Sequence, residues 1–160
     1  MSQLRRGVRI AVDVGRVRIG LARCDPDGIL ATPVRTVQRS NAAPDADLRE
    51  IADLVGAENA LEVLVGLPRS LNGKNGPAAT TARQYARALA NLVDVPVRLV
   101  DERLTTVSAH QALHSAGRSG RRHREVVDQV AAVLILEQAL ESERRTGVPA
   151  GEAVERTQRT

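Results

Sequence analysis

The run Val8-Arg9-Ile10-Ala11-Val12-Asp13-Val14-Gly15 has the aliphatic content of a buried β-strand, yet it carries a carboxylate, Asp13, near its end. An isolated ionised carboxylate in a protein core costs several kcal/mol, so such a group is normally neutralised, paired or bound to a cation. Two further acids break the local pattern in the same way. Glu102 follows the strand-like Val97-Arg98-Leu99-Val100, and Asp128 stands among Val126, Val127, Val130 and Ala131. Any fold of this chain has to accommodate three acids at the margin of an apolar core, and together they suggest a metal site.

The chain has 160 residues, 42% of them hydrophobic, which suits one domain that buries roughly two-thirds of its unfolded surface. We expect that domain to span 1–142, with the polar stretch 143–160 a disordered C-terminal tail. No apolar stretch reaches the ~20 residues of a membrane span, and the N-terminus lacks a signal-peptide pattern, so the expected compartment is the cytoplasm and no membrane partner is expected. Cys24 is the single cysteine, which excludes an internal disulfide and a multi-cysteine zinc site and leaves strand packing as its role. A net charge of +4 favours a polyanionic partner, and Lys74 is the one lysine among 23 basic residues. With no Phe or Trp and a single Tyr85, the chain lacks the aromatic platform on which many single-strand binders stack bases, so recognition should work through phosphates and duplex or branched shape.

The pattern along the chain is three strands followed by alternating helices and strands. Residues 8–14, 17–24 and 29–38 read as an antiparallel meander whose third member, broken by Pro33, is an edge strand. Helical spacing covers 45–57, and 61–66 is a short buried strand. Pro77 opens a helix running through Leu92, Pro96 ends it, and 97–101 is the last strand of an expected five-stranded mixed sheet. Thr105 or Thr106 caps a helix to about residue 116, 117–124 forms a basic flexible loop, and a last helix covers 125–142.

On this scheme the acids converge. Asp13 ends the first strand, and Glu102 lies just past the carboxyl end of the last strand, the side of an open α/β sheet where ligands bind. Asp128 shares a helix stripe with Ala131, Ala132 and Ile135 that must face the core. Oxygen ligands without His or Cys select Mg²⁺ or Mn²⁺, and a pair of such ions catalyses in-line phosphoryl transfer. Taken singly, a buried acid is more often hydrogen-bonded or paired with arginine than catalytic, and Arg16, Arg18 and Arg103 are available partners. Asp101 competes with Glu102 for the ligand role, but alternation along the strand puts the two on opposite faces. His110, His114 and His123 lack ligand spacing with the acids and read as surface or packing residues. The segment Arg69–Gly76 resembles a phosphate-holding loop without being a P-loop, since Pro68 occupies the first glycine position and Asn75 follows Lys74.

The segments Asp13-Val14-Gly15-Arg16-Val17-Arg18-Ile19-Gly20, Val65-Gly66-Leu67-Pro68 with Asn72-Gly73, Asp101-Glu102-Arg103-Leu104-Thr105-Thr106, and Val127-Asp128-Gln129-Val130-Ala131-Ala132 resemble, in order and spacing, the four motifs of the YqgF/RuvX proteins. The resemblance covers residues 8–140. It implies a ribonuclease H-like α/β fold and a nuclease that matures pre-16S rRNA, with Holliday junction resolution as the rival activity. By motif match Asp13, Glu102 and Asp128 are the metal-binding catalytic acids. One departure is His123-Arg124-Glu125, where many relatives have a lysine.

The expected function is a Mg²⁺- or Mn²⁺-dependent endonuclease holding two ions, with Arg16, Arg18, Lys74, Arg118, Arg121, Arg122 and Arg124 positioning the backbone of a structured precursor rRNA or branched DNA. Either a monomer or a homodimer is compatible with that chemistry. A non-catalytic nucleic-acid-binding module is the competing class. An actin-like ATPase is disfavoured by size, because that class needs two such domains.

Overall fold

The computed structural model describes residues 4–40, 45–68, 76–102 and 120–156, with 120–126 as backbone alone. Strands β1 (Arg9–Val14), β2 (Arg18–Cys24) and β3 (Ala31–Gln38) form the expected antiparallel meander. Pro33, which has no amide hydrogen to donate, lies on edge strand β3 next to a register shift at Leu21/Ala22. Helix α1 (Ala46–Ala57) leads to β4 (Glu62–Leu67), which lies parallel to β1, and α2 (Pro77–Ala90) leads to β5 (Val97–Asp101), parallel to β4. Pro77 occupies the first turn of α2 as its fixed φ predicts. The last helix, α3, spans Gly120–Thr146.

Three expectations need correction. Among the described residues the sheet has six strands, in the order β3-β2-β1-β4-β5-β6, because Glu152–Ala153 adds an antiparallel β6 beside β5. The polar stretch after residue 142 is ordered through residue 156: α3 continues to Thr146, and Arg98 donates from Nε to the Ala150 carbonyl (2.6 Å) and from Nη2 to the Gly151 carbonyl (2.9 Å). Those bonds run to main-chain oxygens, so composition carried no sign of them. The basic stretch 117–124 is not wholly loop, since α3 begins at Gly120 and not at 125; Arg and His propagate a helix adequately once glycine is passed. The helix expected over 105–116 lies outside the described residues.

Alternation along the strands produces two cores. Ile10 and Val12 of β1, Ile19 and Leu21 of β2, and Val63 and Val65 of β4 face α1 and α2, meeting Leu48, Ile51, Val55, Ala82, Tyr85 and Leu89. On the other face Ala11, Ala22, Leu64 and Val100 meet Ala132, Ile135, Leu136, Ala139 and Leu140 of α3. The α3 side of β1 and β2 is built from small residues, and at Gly20 contact is at its limit. A Cβ there would stand 2.1 Å from the backbone oxygen of Asp128. Core backbone cannot retreat by that distance without opening the interface, so a methyl group at 20 must displace the helix.

Gly20→Ala is therefore expected to cost about 1–3 kcal/mol, the usual penalty of overpacking. Gly56→Ala, in α1 with open space around its Cα, should instead stabilise by up to about 1 kcal/mol through helix propensity. Urea denaturation of the two variants checks both signs, and equal behaviour would show that the helix is not seated on Gly20.

Candidate functional site

Asp13 emerges on the α3 face of β1, one residue from the strand's end, opposite Gly20 of β2 in the ladder. Its other neighbour is β4, with Val12 level with Val65. Glu102 lies just beyond β5 and is anchored by its backbone N–H, which donates to the Leu67 carbonyl at 3.1 Å. β4 thus separates the two acids, and Gly66 on β4 is what allows them to meet. A Cβ on Gly66 would lie 2.5 Å from Glu102 Oε2, so the glycine leaves the volume that the glutamate side chain enters. Glu102 is 8% exposed, whereas Asp101 before it points into solvent, as alternation requires.

Asp128 reaches the same neighbourhood because its turn of α3 rests on Gly20, the ladder partner of Asp13. Its Oδ2 accepts from Arg18 Nε at 3.1 Å, with both side chains 18% exposed. This is the arginine pairing weighed above, and it coexists with proximity to Asp13, on whose titration the Asp128 charge acts.

Burial raises the Asp13 pKa to about 7, the negative charge of Asp128 adds to the rise, and a hydrogen bond with Glu102 opposes it. Burial likewise raises Glu102, to about 8, with the Asp13 charge and the shared hydrogen bond acting in the same direction. The pair thus holds a common proton near neutral pH, as two close carboxylates must when nothing else compensates them. Among the described residues Glu102 Oε2 is buried with no hydrogen-bond partner, an orphaned acceptor of a type that native cores rarely tolerate.

Among the described residues no three His, Cys, Asp or Glu side chains already converge as ligands of one ion. Two acids share a proton and the third is turned to Arg18. A divalent cation suits this arrangement: it would replace the shared proton and supply a partner to Oε2, and the donors are hard oxygens.

Of the basic candidates, Arg16 is exposed on the β1–β2 turn and Arg18 is engaged with Asp128. Arg121, Arg122 and Arg124 fall on the first turns of α3, while Lys74 and Arg118 lie outside the described residues, as do Arg103, His110 and His114. Cys24 is buried against the α3 layer. Sequence reasoning missed Gly20 and Gly66 as the residues that let the acids approach one another. The signal for Gly66 was a glycine inside an otherwise aliphatic strand, which marks a close approach.

The sequence model of a family described as "RuvX: Holliday junction resolvase" matches residues 7–142. The chain belongs to the RuvX family. A relative from Streptomyces coelicolor is 55% identical over 154 residues, covering 96% of this chain and 91% of its own, and one from Nocardioides sp. is 54% identical over 160 residues, covering 96% and 100%. Both are named "Putative pre-16S rRNA nuclease". Among solved structures, Thermus thermophilus RuvC in complex with a Holliday junction substrate superposes with a TM-score of 0.55 at 17% identity, covering 89% of this chain and 98% of its own. The RuvX chain therefore shares the ribonuclease H-like fold of RuvC, as its motifs implied.

Because both acids bind a proton more tightly in the folded RuvX chain than at the ordinary value near 4, the native state holds more protons between about pH 4 and pH 8, and stability falls as pH rises through that window. In chelator-treated protein the urea midpoint should drop from about pH 5 to about pH 9, and the Asp13→Asn, Glu102→Gln double variant should flatten this dependence. Equal slopes would show that the pair does not share a proton.

Proposed function

We propose that the described domain, as a single unit that includes β6 and extends through residue 156, is a metal-dependent endonuclease that hydrolyses phosphodiesters during 5′-end processing of pre-16S rRNA in the cytoplasm. The observation that carries this reading is the convergence of Asp13 and Glu102, joined by a side-chain hydrogen bond, with Asp128 close by and Glu102 Oε2 buried without a partner among the described residues. The names of the relatives supply the substrate. Asp13, Glu102 and Asp128 would hold Mg²⁺ or Mn²⁺, and two such ions supply an activated water and stabilisation of the leaving oxygen. The protein's own part is to keep the carboxylates at the carboxyl edge of the sheet, release their common proton near neutral pH, and restrain Asp128 through Arg18 until substrate arrives. Arg16, Lys74, Arg118, Arg121, Arg122 and Arg124 would hold the phosphate backbone.

A second reading, resolution of four-way DNA junctions, is favoured by the family's description and by the likeness to RuvC. It demands symmetric cuts on two strands and hence a two-fold dimer with two sites, whereas trimming RNA needs only one.

Digestion of a pre-16S 5′ segment and of a mobile four-way junction, side by side, separates the readings. The RNA should be cut in Mg²⁺ or Mn²⁺. Changes behind metal ligands commonly cost about 10–100-fold, so Asp13→Asn, Glu102→Gln and Asp128→Asn should each lose at least that much. Symmetric nicking of the junction with the RNA untouched would overturn the preferred assignment, and binding without cleavage in either metal would leave a binding module.

Changing Arg118, Arg121, Arg122 and Arg124 together to Ala should weaken RNA binding and flatten its log–log salt dependence by about one unit per lost phosphate contact, without altering metal affinity. An unchanged slope in a filter-binding titration would remove this segment from the interface.

A further inference from the structure

The β1–β2 turn separates the acids from a cavity of about 610 Å³ on the opposite face of the sheet, bounded by α1 and α2. Arg16 lines it, three residues after Asp13, so the two Cα atoms are at most about 11 Å apart along the chain. Arg39 also lines it and is held from three sides. Its backbone N–H donates to the Val17 carbonyl (2.8 Å), its Nη1 to the Gly15 carbonyl (3.3 Å), and its Cζ stands 5.4 Å from the centroid of the Tyr85 ring. Tyr85 is fixed in turn, donating its hydroxyl to the buried Asp47 Oδ2 at 2.9 Å. The guanidinium is therefore a planar cation backed by an aromatic ring, positioned before any ligand enters.

Most of the remaining lining is polar, beside the apolar Val17, Leu48 and Ala88. Thr81 and the exposed Gln84 come from α2, and Asp45 stands at the start of α1 with φ 64°. In that left-handed conformation its carboxylate does not cap the helix, so the group that would ordinarily serve α1 is left facing outward. A planar cation, an exposed arginine and side-chain acceptors around one polar hollow match a nucleotide: guanidinium planes stack on bases, arginine grips phosphate, and carboxylates and amides read N–H edges.

We propose that this cavity receives the base of one unpaired nucleotide next to the cleaved phosphodiester, stacked on Arg39, with Arg16 on its phosphate and Asp45 and Gln84 reading its edge. The proposal rests on the nuclease reading for the identity of the ligand. It adds that the RuvX chain recognises an unstacked base as well as backbone shape, with an arginine plane serving where aromatic side chains are lacking. The same turn carries Arg16 and leads directly back to Asp13, so occupancy of the cavity would place the strand across the edge where the acids lie.

The test is an abasic scan. Asp13→Asn protein is titrated with a hairpin RNA carrying the unpaired 5′ extension of pre-16S rRNA, each unpaired position made abasic in turn. Removal of one particular base should weaken binding by about tenfold, the usual effect of losing a stacked base. Adding Arg39→Lys, which keeps the charge and loses the plane, should remove the penalty at that position. Gln84→Ala, on an exposed helix face, should change which base is preferred there. Equal affinity across the scan, no binding at all, or a penalty that persists with Arg39→Lys would each overturn the proposal. Failure of wild-type protein to cut the RNA would instead count against the nuclease reading, which the scan does not use.

Discussion

The distance between α3 and the sheet is set by a missing side chain. Gly20 lets the Asp128 backbone rest on β2 closer than any Cβ would permit, and Gly20 is the ladder partner of Asp13. The position of the third acid relative to the first follows from that contact. Gly66 acts in a related way one strand over, leaving the volume into which Glu102 turns to meet Asp13. Two glycines on one face of the sheet thus convert acids from three separate elements into neighbours, and their mutual repulsion then demands a proton or a cation.

The far end of the same interface is held by charge. Arg9 is 1% exposed, and its guanidinium lies 3.4 Å from Glu62 and 3.0 Å from Glu143, while Arg5 reaches Glu143 at 2.6 Å and Glu62 at 3.0 Å. Burial alone would raise the Glu143 carboxyl, but hydrogen bonds from Arg5 and the charges of both arginines outweigh it and hold its pKa below the usual value. Such a network contributes little net stability beyond a well-packed apolar equivalent, yet losing one member would strand a buried charge. Its structural consequence is to fasten the end of α3 to β1 and β4. With Gly20 at one end and the arginine network at the other, α3 is seated along its length.

The contrast between the two charged clusters bears on their roles. Each cluster holds one buried oxygen without a hydrogen-bond partner among the described residues, Glu62 Oε2 and Glu102 Oε2, but around Glu143 and Glu62 carboxylates face guanidinium groups, whereas at Asp13 and Glu102 carboxylates face each other. A core that satisfies its charges at one end and leaves them in conflict at the other stores the conflict where a ligand resolves it. The cavity beneath Arg39 lies beyond the turn that begins at this conflicted end, so a strand bound there would pass the acids.

The anomalous acids, the meander, the start of α2 at Pro77 and the inward stripe of α3 were readable from residue order, because each depends on periodicity or on a few adjacent side chains. The six-strand count, the ordered stretch after residue 142 and the continuation of α3 were not, because β6 and the Arg98 bonds use main-chain groups that every sequence possesses. Glu143 looked like the first residue of a polar tail; only its pairing with Arg5, 138 positions away, makes it a core residue. Likewise Asp128 was identifiable as inward-facing, but its choice of Arg18 and its approach to Asp13 depend on how closely two backbones pack at Gly20. Local chemistry names the residues that cannot be ordinary. Which of them meet is decided by contacts between distant segments, where packing geometry, and not propensity, sets the energy.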